Sequence, residues 1–351
     1  MNSSIAGVKI STKSSPFIIA EMSGNHNQSL DRALAIVDAI ANSGAHALKL
    51  QTYTADTMTI NIAEREFFIS EPTSLWQGNS LYQLYQHAHT PWEWHETIFK
   101  RAQEHGLIAF STPFDVTAVD FLESLNVPAY KIASFENIDL PLIHKVAATG
   151  KPVIISTGMA SLAEIDEAVR TARTAGCHDL ILLKCTSSYP ASPASSNLAT
   201  IPHLRSLFNC EVGLSDHTLG IGVAVASVAL GATVIEKHVT MDRTEGGVDA
   251  MFSLEPPELK QLVTETHNAW QALGQANLLK ISEEEKNSLA FRRSLYICEN
   301  LQVGDLLTTT NLRAIRPGYG LSPKYINQLL GKKVTVAVKR GSPMSWDFIT
   351  S

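Results

Sequence analysis

The chain has 351 residues, of which 44% are hydrophobic and 18% charged, with a formal net charge of -6. That length supplies core for one large domain and a small companion, and the acidic balance without any Lys/Arg cluster excludes a nucleic-acid binder. Four cysteines (Cys177, Cys185, Cys210, Cys298) without Cys-x-x-Cys spacing, and no basic segment leading into an apolar run, predict a cytoplasmic protein with reduced thiols and no signal peptide.

Phe17 to Ala20 reads as a first strand ending on Glu21, followed by the turn-rich loop Ser23-Gly24-Asn25-His26-Asn27. Leu30, Ala33, Leu34, Val37 and Ile40 give Ser29 to Ala41 helical periodicity. Ala47 to Leu50 is the second strand and carries Lys49. Gln51 to His89 is too long for a plain connection and rich in aromatics (Tyr53, Phe67, Phe68, Trp76, Tyr82, Tyr85), so it is expected to cover something. Thr90-Pro91-Trp92-Glu93 predicts a capping box with proline at the first helical position, opening a helix that ends near Gly106.

Regular alternation follows. Strands are expected at Ile108 to Ser111, Ala129 to Ile132, Pro152 to Ser156 and Leu180 to Lys184. Helices are expected at Asp115 to Leu125, Pro141 to Ala148, Ser161 to Ala175 and near Leu204. Val212 to Leu214 then leads into Ser215-Asp216-His217, and Thr233 to Ile235 into Glu236-Lys237-His238, with a helix-length stretch, Leu219 to Leu230, between them. A strand, a helix and a strand in that order make a parallel pair, which puts both imidazoles at one end of neighbouring strands, close enough to share an ion. Two unrelated histidines closing strands are the plainer alternative. Thr218 to Ile235 carries no charge, but its Gly and Thr content and the flanking Asp216, Glu236 and Lys237 predict a buried helix and strand, with no membrane span.

Glu258 to Leu273 supplies an eighth helix. Eight strand–helix units in about 270 residues predict a (β/α)₈ barrel, with an open doubly wound sheet as the alternative. The barrel is expected over residues 1–280, a charged link holding Glu283 to Lys286 over 281–290, and a small β-rich domain over 291–351 with runs at Ser294 to Cys298 and Val334 to Val338.

Barrel chemistry gathers where strands end, at the C-terminal face. Polar groups recur there: Glu21, Lys49, Ser111 and Thr112, Lys131 and Ser134, Ser156 and Thr157, Lys184 and Ser187, Ser215 and His217, and His238. Lysines with several hydroxyls suit an anion such as a phosphate or carboxylate. Two imidazoles leave most of a divalent ion's shell open for a substrate oxygen, whereas a structural zinc site would want four protein ligands. Together these point to carbonyl activation on a phosphorylated or carboxylated molecule.

Ile19-Ala20-Glu21, Lys49-Leu50-Gln51-Thr52, Ser111-Thr112-Pro113-Phe114, Tyr130 to Ser134, Ser156 to Met159, Gly213 to His217 and Glu236-Lys237-His238 resemble the motifs of the sialic acid synthase family. Ile315-Arg316-Pro317-Gly318 resembles the antifreeze-like (SAF) domain that closes those proteins. Leu75 to Leu81-Tyr82, with Ala88 to His95, is similar to the branch of the family that makes pseudaminic acid. The resemblance implies metal-dependent condensation of phosphoenolpyruvate with an amino sugar, releasing phosphate. It implies that Lys49, Thr112, Lys131, Ser134, Ser156, Ser187 and Ser215 hold phosphoenolpyruvate, and that His217 and His238 bind a divalent ion, Mn²⁺ foremost with Mg²⁺ or Co²⁺ as alternatives. It further implies that Glu21, Glu136, Tyr189 and Asp249 face the acceptor sugar and the attacking water, with Glu21 and Glu136 catalytic. In this family the tail domain docks on the barrel of the other subunit in a swapped homodimer, which would carry Arg316 to the partner's site to bind the acceptor's acetamido group.

One residue departs from the pattern: Ser187 stands where N-acetylneuraminate synthases tend to have Asn. The expected acceptor is accordingly 2,4-diacetamido-2,4,6-trideoxy-β-L-altropyranose, with N-acetylneuraminate or legionaminic acid synthesis as alternatives. The aromatic excursion is expected to offer apolar side chains to this deoxygenated sugar, or else to pack on itself. Competing readings are an aldolase with Lys49, Lys131 or Lys184 as Schiff base, and a non-catalytic carbohydrate- or ice-binding protein, suggested by the tail alone.

Overall fold

Strands buried on both faces read as unbroken apolar runs, and those between Phe17 and His238 close into a barrel. The structure is a computed structural model describing residues 3–71, 76–275 and 281–349. Its barrel strands are β3 (Phe17–Glu21), β4 (Ala47–Thr52), β5 (Ile108–Pro113), β6 (Tyr130–Ile132), β7 (Val153–Ser156), β8 (Leu180–Cys185), β9 (Glu211–Ser215) and β10 (Val234–His238). They follow a two-stranded N-terminal hairpin, β1 (Ser3–Ile5) and β2 (Val8–Ile10), which the sequence reading did not anticipate. Ile5 and Ile10 of that hairpin are buried in the main hydrophobic core. Each barrel strand pairs in parallel with its sequence neighbours, and β10 pairs back onto β3, so the alternative of an open sheet is excluded. The register sets His238 opposite Glu21, and Glu21 opposite Lys49.

The helices lie where the periodicity put them, with one instructive difference. The Ser161 capping box forms, opening Leu162–Thr174. The expected box at Thr90 does not: Pro91 opens a 3₁₀ turn, Trp92–Trp94, and the α-helix runs His95–Glu104. Thr90 Oγ1 lies instead 3.2 Å from His26 Nε2, so a tertiary partner outcompetes the local cap. The excursion after β4 contains two short helices, Ala55–Met58 and Leu81–Ala88, each closed by its own capping box. Leu75 and the expected domain limit at residue 280 lie outside the described residues.

Residues Met1–Gly274 form one compact unit and Gln275–Ser351 a second. The second holds the antiparallel pair β11 (Ser294–Ile297) and β12 (Leu312–Ile315) around its own small core, which includes Leu295, Leu312 and Leu329. Val334 to Val338 is not a strand: Val334 bridges Ile349 and Val338 bridges Leu301, and these separate partners leave Val336 exposed between them. Among the described residues no helix is long and apolar enough to cross a membrane, and Thr218 to Ile235 divides into the helix Gly222–Ala229 and the start of β10.

Candidate active site

Alternation along a strand sends every second side chain into the barrel. On β4, Lys49 and Gln51 point inward, while Thr52 points out to Ser111 (2.6 Å) and His95 (2.8 Å). On β10, Glu236 and His238 point inward, and Lys237 points out to Asp216 Oδ2 at 2.9 Å. The inward groups line a cavity of about 260 Å³ at the C-terminal ends of the strands. Trp76, Leu84 and Val248 also line a wider neighbouring cleft of about 1070 Å³.

At its floor, charges alternate. Lys49 Nζ lies 3.0 Å from Glu21 Oε2 and 3.0 Å from Glu236 Oε1, and Lys131 Nζ lies 3.7 Å from the same Glu236 oxygen. Lys131 also donates to Ser156 Oγ at 2.7 Å, and Ser215 Oγ donates to Glu236 at 3.1 Å. Burial would raise the carboxylates, but His238 and Lys49 hold Glu21 well below the usual range, and Lys131 with Lys49 lowers Glu236. Burial would lower Lys49, yet Glu21 and Glu236 raise it; for Lys131 burial wins and the ammonium is lowered. Among the described residues, Thr112 Oγ1, Glu236 Oε2 and Glu136 Oε2 are buried without a hydrogen-bond partner. Orphaned acceptors and a hydroxyl beside two ammonium groups suit a polar ligand better than a packed core.

Glu136 follows β6 in a 3₁₀ turn with Ser134. Burial, only partly offset by Lys131, pushes its carboxyl up to about 7. Ser134 Oγ accepts the Gly158 N–H at 3.1 Å, and a Cβ at Gly158 would collide with both Ser134 and Ser187 hydroxyls, so a side chain there would have to displace them.

The two histidines do come together. Their ring centroids are 5.4 Å apart, and both pack on Phe252. His217 donates Nδ1–H to Thr186 O at 3.1 Å, which leaves Nε2 as an electron-pair donor. His238 sits between Glu21 (Nε2 to Oε2, 3.1 Å) and Asp249 (Nδ1 to Oδ2, 3.4 Å). Burial pulls this imidazole down, but Glu21 and Asp249 outweigh it and push it up to about 10. Among the described residues no group of three His, Cys, Asp or Glu is arranged as a metal site. A divalent ion would have to displace the proton that Glu21 and Asp249 hold on His238; with that proton gone, two imidazoles flanked by carboxylates fit an open N/O site for an exchangeable ion and not a closed structural one.

All the residues to which the family resemblance gives a site role line this cavity except Ser187 and Arg316. Ser187 stands behind the wall, 4.0 Å from Cys185 Sγ and against Gly158. Arg316 belongs to the second unit, just after β12. Three further strand-end groups, Lys184, Ser111 and Thr157, do not line the cavity, Thr157 donating to Leu183 O at 3.1 Å. Lys184 donates to Cys185 O and Thr186 Oγ1, and Ser111 to or from Thr52, because each is one residue out of phase with the inward set. In phase instead are Cys185, Gln51 (donating to Glu21 Oε1 at 2.8 Å) and Glu236, none of which the sequence reading gave a role. Ser23, hydrogen-bonded to Asp249, was also missed. Glu236 was findable, since it lies two residues before His238 and so shares its face.

Comparison with known proteins bears on this constellation. The NeuB family pattern matches residues 36–278, and the SAF domain pattern matches residues 292–350. Pseudaminic acid synthase of Campylobacter jejuni is 42% identical over 328 residues, covering 93% of this chain and 95% of that protein. Pseudaminic acid synthase of Helicobacter pylori is 41% identical over 334 residues, covering 95% and 98%. A crystal structure of N-acetylneuraminic acid (sialic acid) synthetase from Leptospira borgpetersenii superposes with a TM-score of 0.73 at 33% identity, covering 82% of this chain and 95% of that one. With one family pattern running through seven of the eight strand ends that build the cavity, and related synthases aligned over nearly its whole length, the chain belongs to the NeuB family.

Proposed function

We propose that the chain is a cytoplasmic pseudaminic acid synthase, condensing phosphoenolpyruvate with 2,4-diacetamido-2,4,6-trideoxy-β-L-altropyranose and water to give pseudaminic acid and phosphate. The observation that carries the reading is the Glu21–Lys49–Glu236–Lys131 chain beside the paired histidines, in a family whose aligned relatives include two synthases of that name. Four free thiols support a reducing compartment.

Lys131, Lys49 and the hydroxyls of Ser134, Ser156, Ser215 and Thr112 hold the phosphate and carboxylate of phosphoenolpyruvate, with Ser187 backing the phosphate side through Gly158. A divalent cation held by His217 and His238, Mn²⁺ by preference with Mg²⁺ or Co²⁺ as alternatives, supplies Lewis acidity toward the sugar aldehyde when bound. C3 of phosphoenolpyruvate attacks the aldehyde carbon of the open-chain sugar, forming the new C–C bond and leaving a cation at C2, while the carbonyl π pair moves to the aldehyde oxygen, which takes up a proton to become the product hydroxyl. Water adds to C2 and gives up a proton, and the C2–O bond to phosphate breaks to leave a ketone. Glu21 is tied to Lys49, Gln51 and His238 and stays ionised, so it serves as fixed charge. Glu136, poised near neutrality with one orphaned oxygen, is suited to take the water's proton. Tyr189 and Asp249 face the acceptor.

The direct test offers a panel of amino sugars with phosphoenolpyruvate and measures phosphate release. The diacetamido-trideoxy sugar should exceed N-acetylmannosamine in kcat/KM; the reverse order would refute the assigned product. Because Glu136 must be ionised to accept a proton, kcat should rise with pH through about 7. Glu136→Gln should lower kcat about 10²-fold and erase that limb, and an unchanged pH profile would remove Glu136 from the role.

The tail domain is assigned to the barrel of a second copy in a swapped homodimer. Residues 281–351 carry ten Lys/Arg against six Asp/Glu within an acidic protein, which supports docking on an acidic partner surface. Arg316→Ala should raise the sugar KM at least about tenfold, the worth of one charge-assisted bond, and leave phosphoenolpyruvate binding unchanged. Mixing it with a His238→Ala protein should restore activity, since one barrel and one arginine then remain intact together. No recovery despite proven subunit exchange would exclude the swap.

A further inference from the structure

The cavity lining has a second face, made of different chemistry and from outside the barrel. Tyr53 precedes the short helix Ala55–Met58 and Met58 ends it, Leu84 and Tyr85 come from Leu81–Ala88, and Phe114 follows β5. The Tyr53 ring meets Tyr85 edge-on at 5.8 Å and Phe114 at 5.1 Å, so the three rings form one cluster, and Met58 and Leu84 line the same cavity. It is also held in place. Both helices carry capping boxes (Thr54 with Thr57, Ser80 with Gln83), and Trp92 Nε1 donates to Tyr53 O at 3.1 Å. A loop packing only on itself would turn Met58 and Leu84 away from the cavity; here both line it while only half-buried.

Leu84 and Phe114 offer nothing that can hydrogen-bond a hydroxyl, and Met58 only a weakly accepting thioether sulfur. A methyl group placed against them gains by leaving water, whereas a hydroxymethyl group would surrender its hydration without return. In the acceptor of the proposed reaction C2 and C4 carry acetamido groups in place of hydroxyls, and C6 alone loses its oxygen without a polar replacement. We infer that Met58 and Leu84, with Phe114, form a methyl-binding subsite for C6 of the acceptor and set the preference for 6-deoxy sugars over C6-hydroxylated hexosamines. This rests on the synthase reading above, and it adds the residues that choose the substrate.

The test uses the full-length enzyme, phosphoenolpyruvate and three acceptors: the 2,4-diacetamido-6-deoxy sugar, its C6-hydroxymethyl counterpart, and a 6-deoxy sugar with hydroxyl in place of the C4 acetamido group. Wild type should favour the methyl over the hydroxymethyl acceptor by about 10²-fold in kcat/KM, the range an apolar pocket achieves against an added hydroxyl. Leu84→Asn and Met58→Gln should each reduce that ratio to about tenfold or less, largely by gaining on the hydroxymethyl sugar, with the phosphoenolpyruvate KM and the C4 preference unmoved. Met58→Leu should keep the wild-type ratio, as should Ile60→Asn, an exposed residue of the same excursion that does not line the cavity. A wild type that prefers the methyl sugar with variants that keep its ratio overturns the subsite and leaves the synthase reading standing. A change confined to the C4 pair overturns it too, giving the apolar face to the acetamido group. Failure of every sugar to release phosphate with wild type removes the synthase reading itself, and the subsite with it.

Discussion

His217→Ala and His238→Ala are each expected to lower kcat/KM by about 10³-fold or more, on the order of 4 kcal/mol of transition-state stabilisation. Both rings stand at strand ends and not in the packed middle of the barrel, so circular dichroism should show the fold retained. The two lesions should also be non-additive, since either one dismantles the same two-ligand site. Exhaustive chelation of the unaltered protein should silence it, and adding back Mn²⁺ should restore it. Full activity with metal content confirmed absent would sink the Lewis-acid role of the pair.

Lys131→Met should cost about as much, by a different route. Lys131 is 2% exposed, and its ammonium touches Ser156, the Ile132 carbonyl and Glu236. Removing it takes away a charge that phosphoenolpyruvate needs in both ground and transition states, so KM should rise and kcat fall together, about 10³-fold in kcat/KM. Stability should change little, because Glu236 keeps Lys49 at 3.0 Å as its cation and burial already works against the Lys131 ammonium. Lys131→Arg should not rescue, since a planar fork cannot occupy the place of a compact ammonium between strands. Normal phosphoenolpyruvate saturation in the Met variant would remove Lys131 from the anion site.

The barrel was legible because its strands are uninterrupted apolar runs closed by polar residues, and because eight such runs recur with helices between them. The histidines were legible for the same reason, each closing a run. Phase along the strand was harder to read. Lys184 and Cys185 are adjacent, and so are Ser111 and Thr112; chemistry alone favours lysine over cysteine, while geometry sends the cysteine inward. A strand's inward parity is fixed by its pairing across the barrel, which a local reading does not contain. Thr90 was misread for a related reason: its capping pattern is local, but the winning partner, His26, lies 64 residues away. The tail's Val334 to Val338 has strand composition and no neighbour running its full length.

At the cavity floor each ammonium already leans on a carboxylate: Lys49 on Glu21 and Glu236, Lys131 on Glu236. An arriving trianion therefore meets little surplus positive field, and it is seated by exchange, taking over ammonium hydrogens that two internal acids relinquish. Such a site is selective in a particular way. It is indifferent to charge seen from a distance, so its association rate should vary little with ionic strength. It rewards only a molecule whose oxygens can replace Glu21 and Glu236 at both lysines at once, which makes the resident acids a built-in competitor that every weaker anion in the cell has to beat.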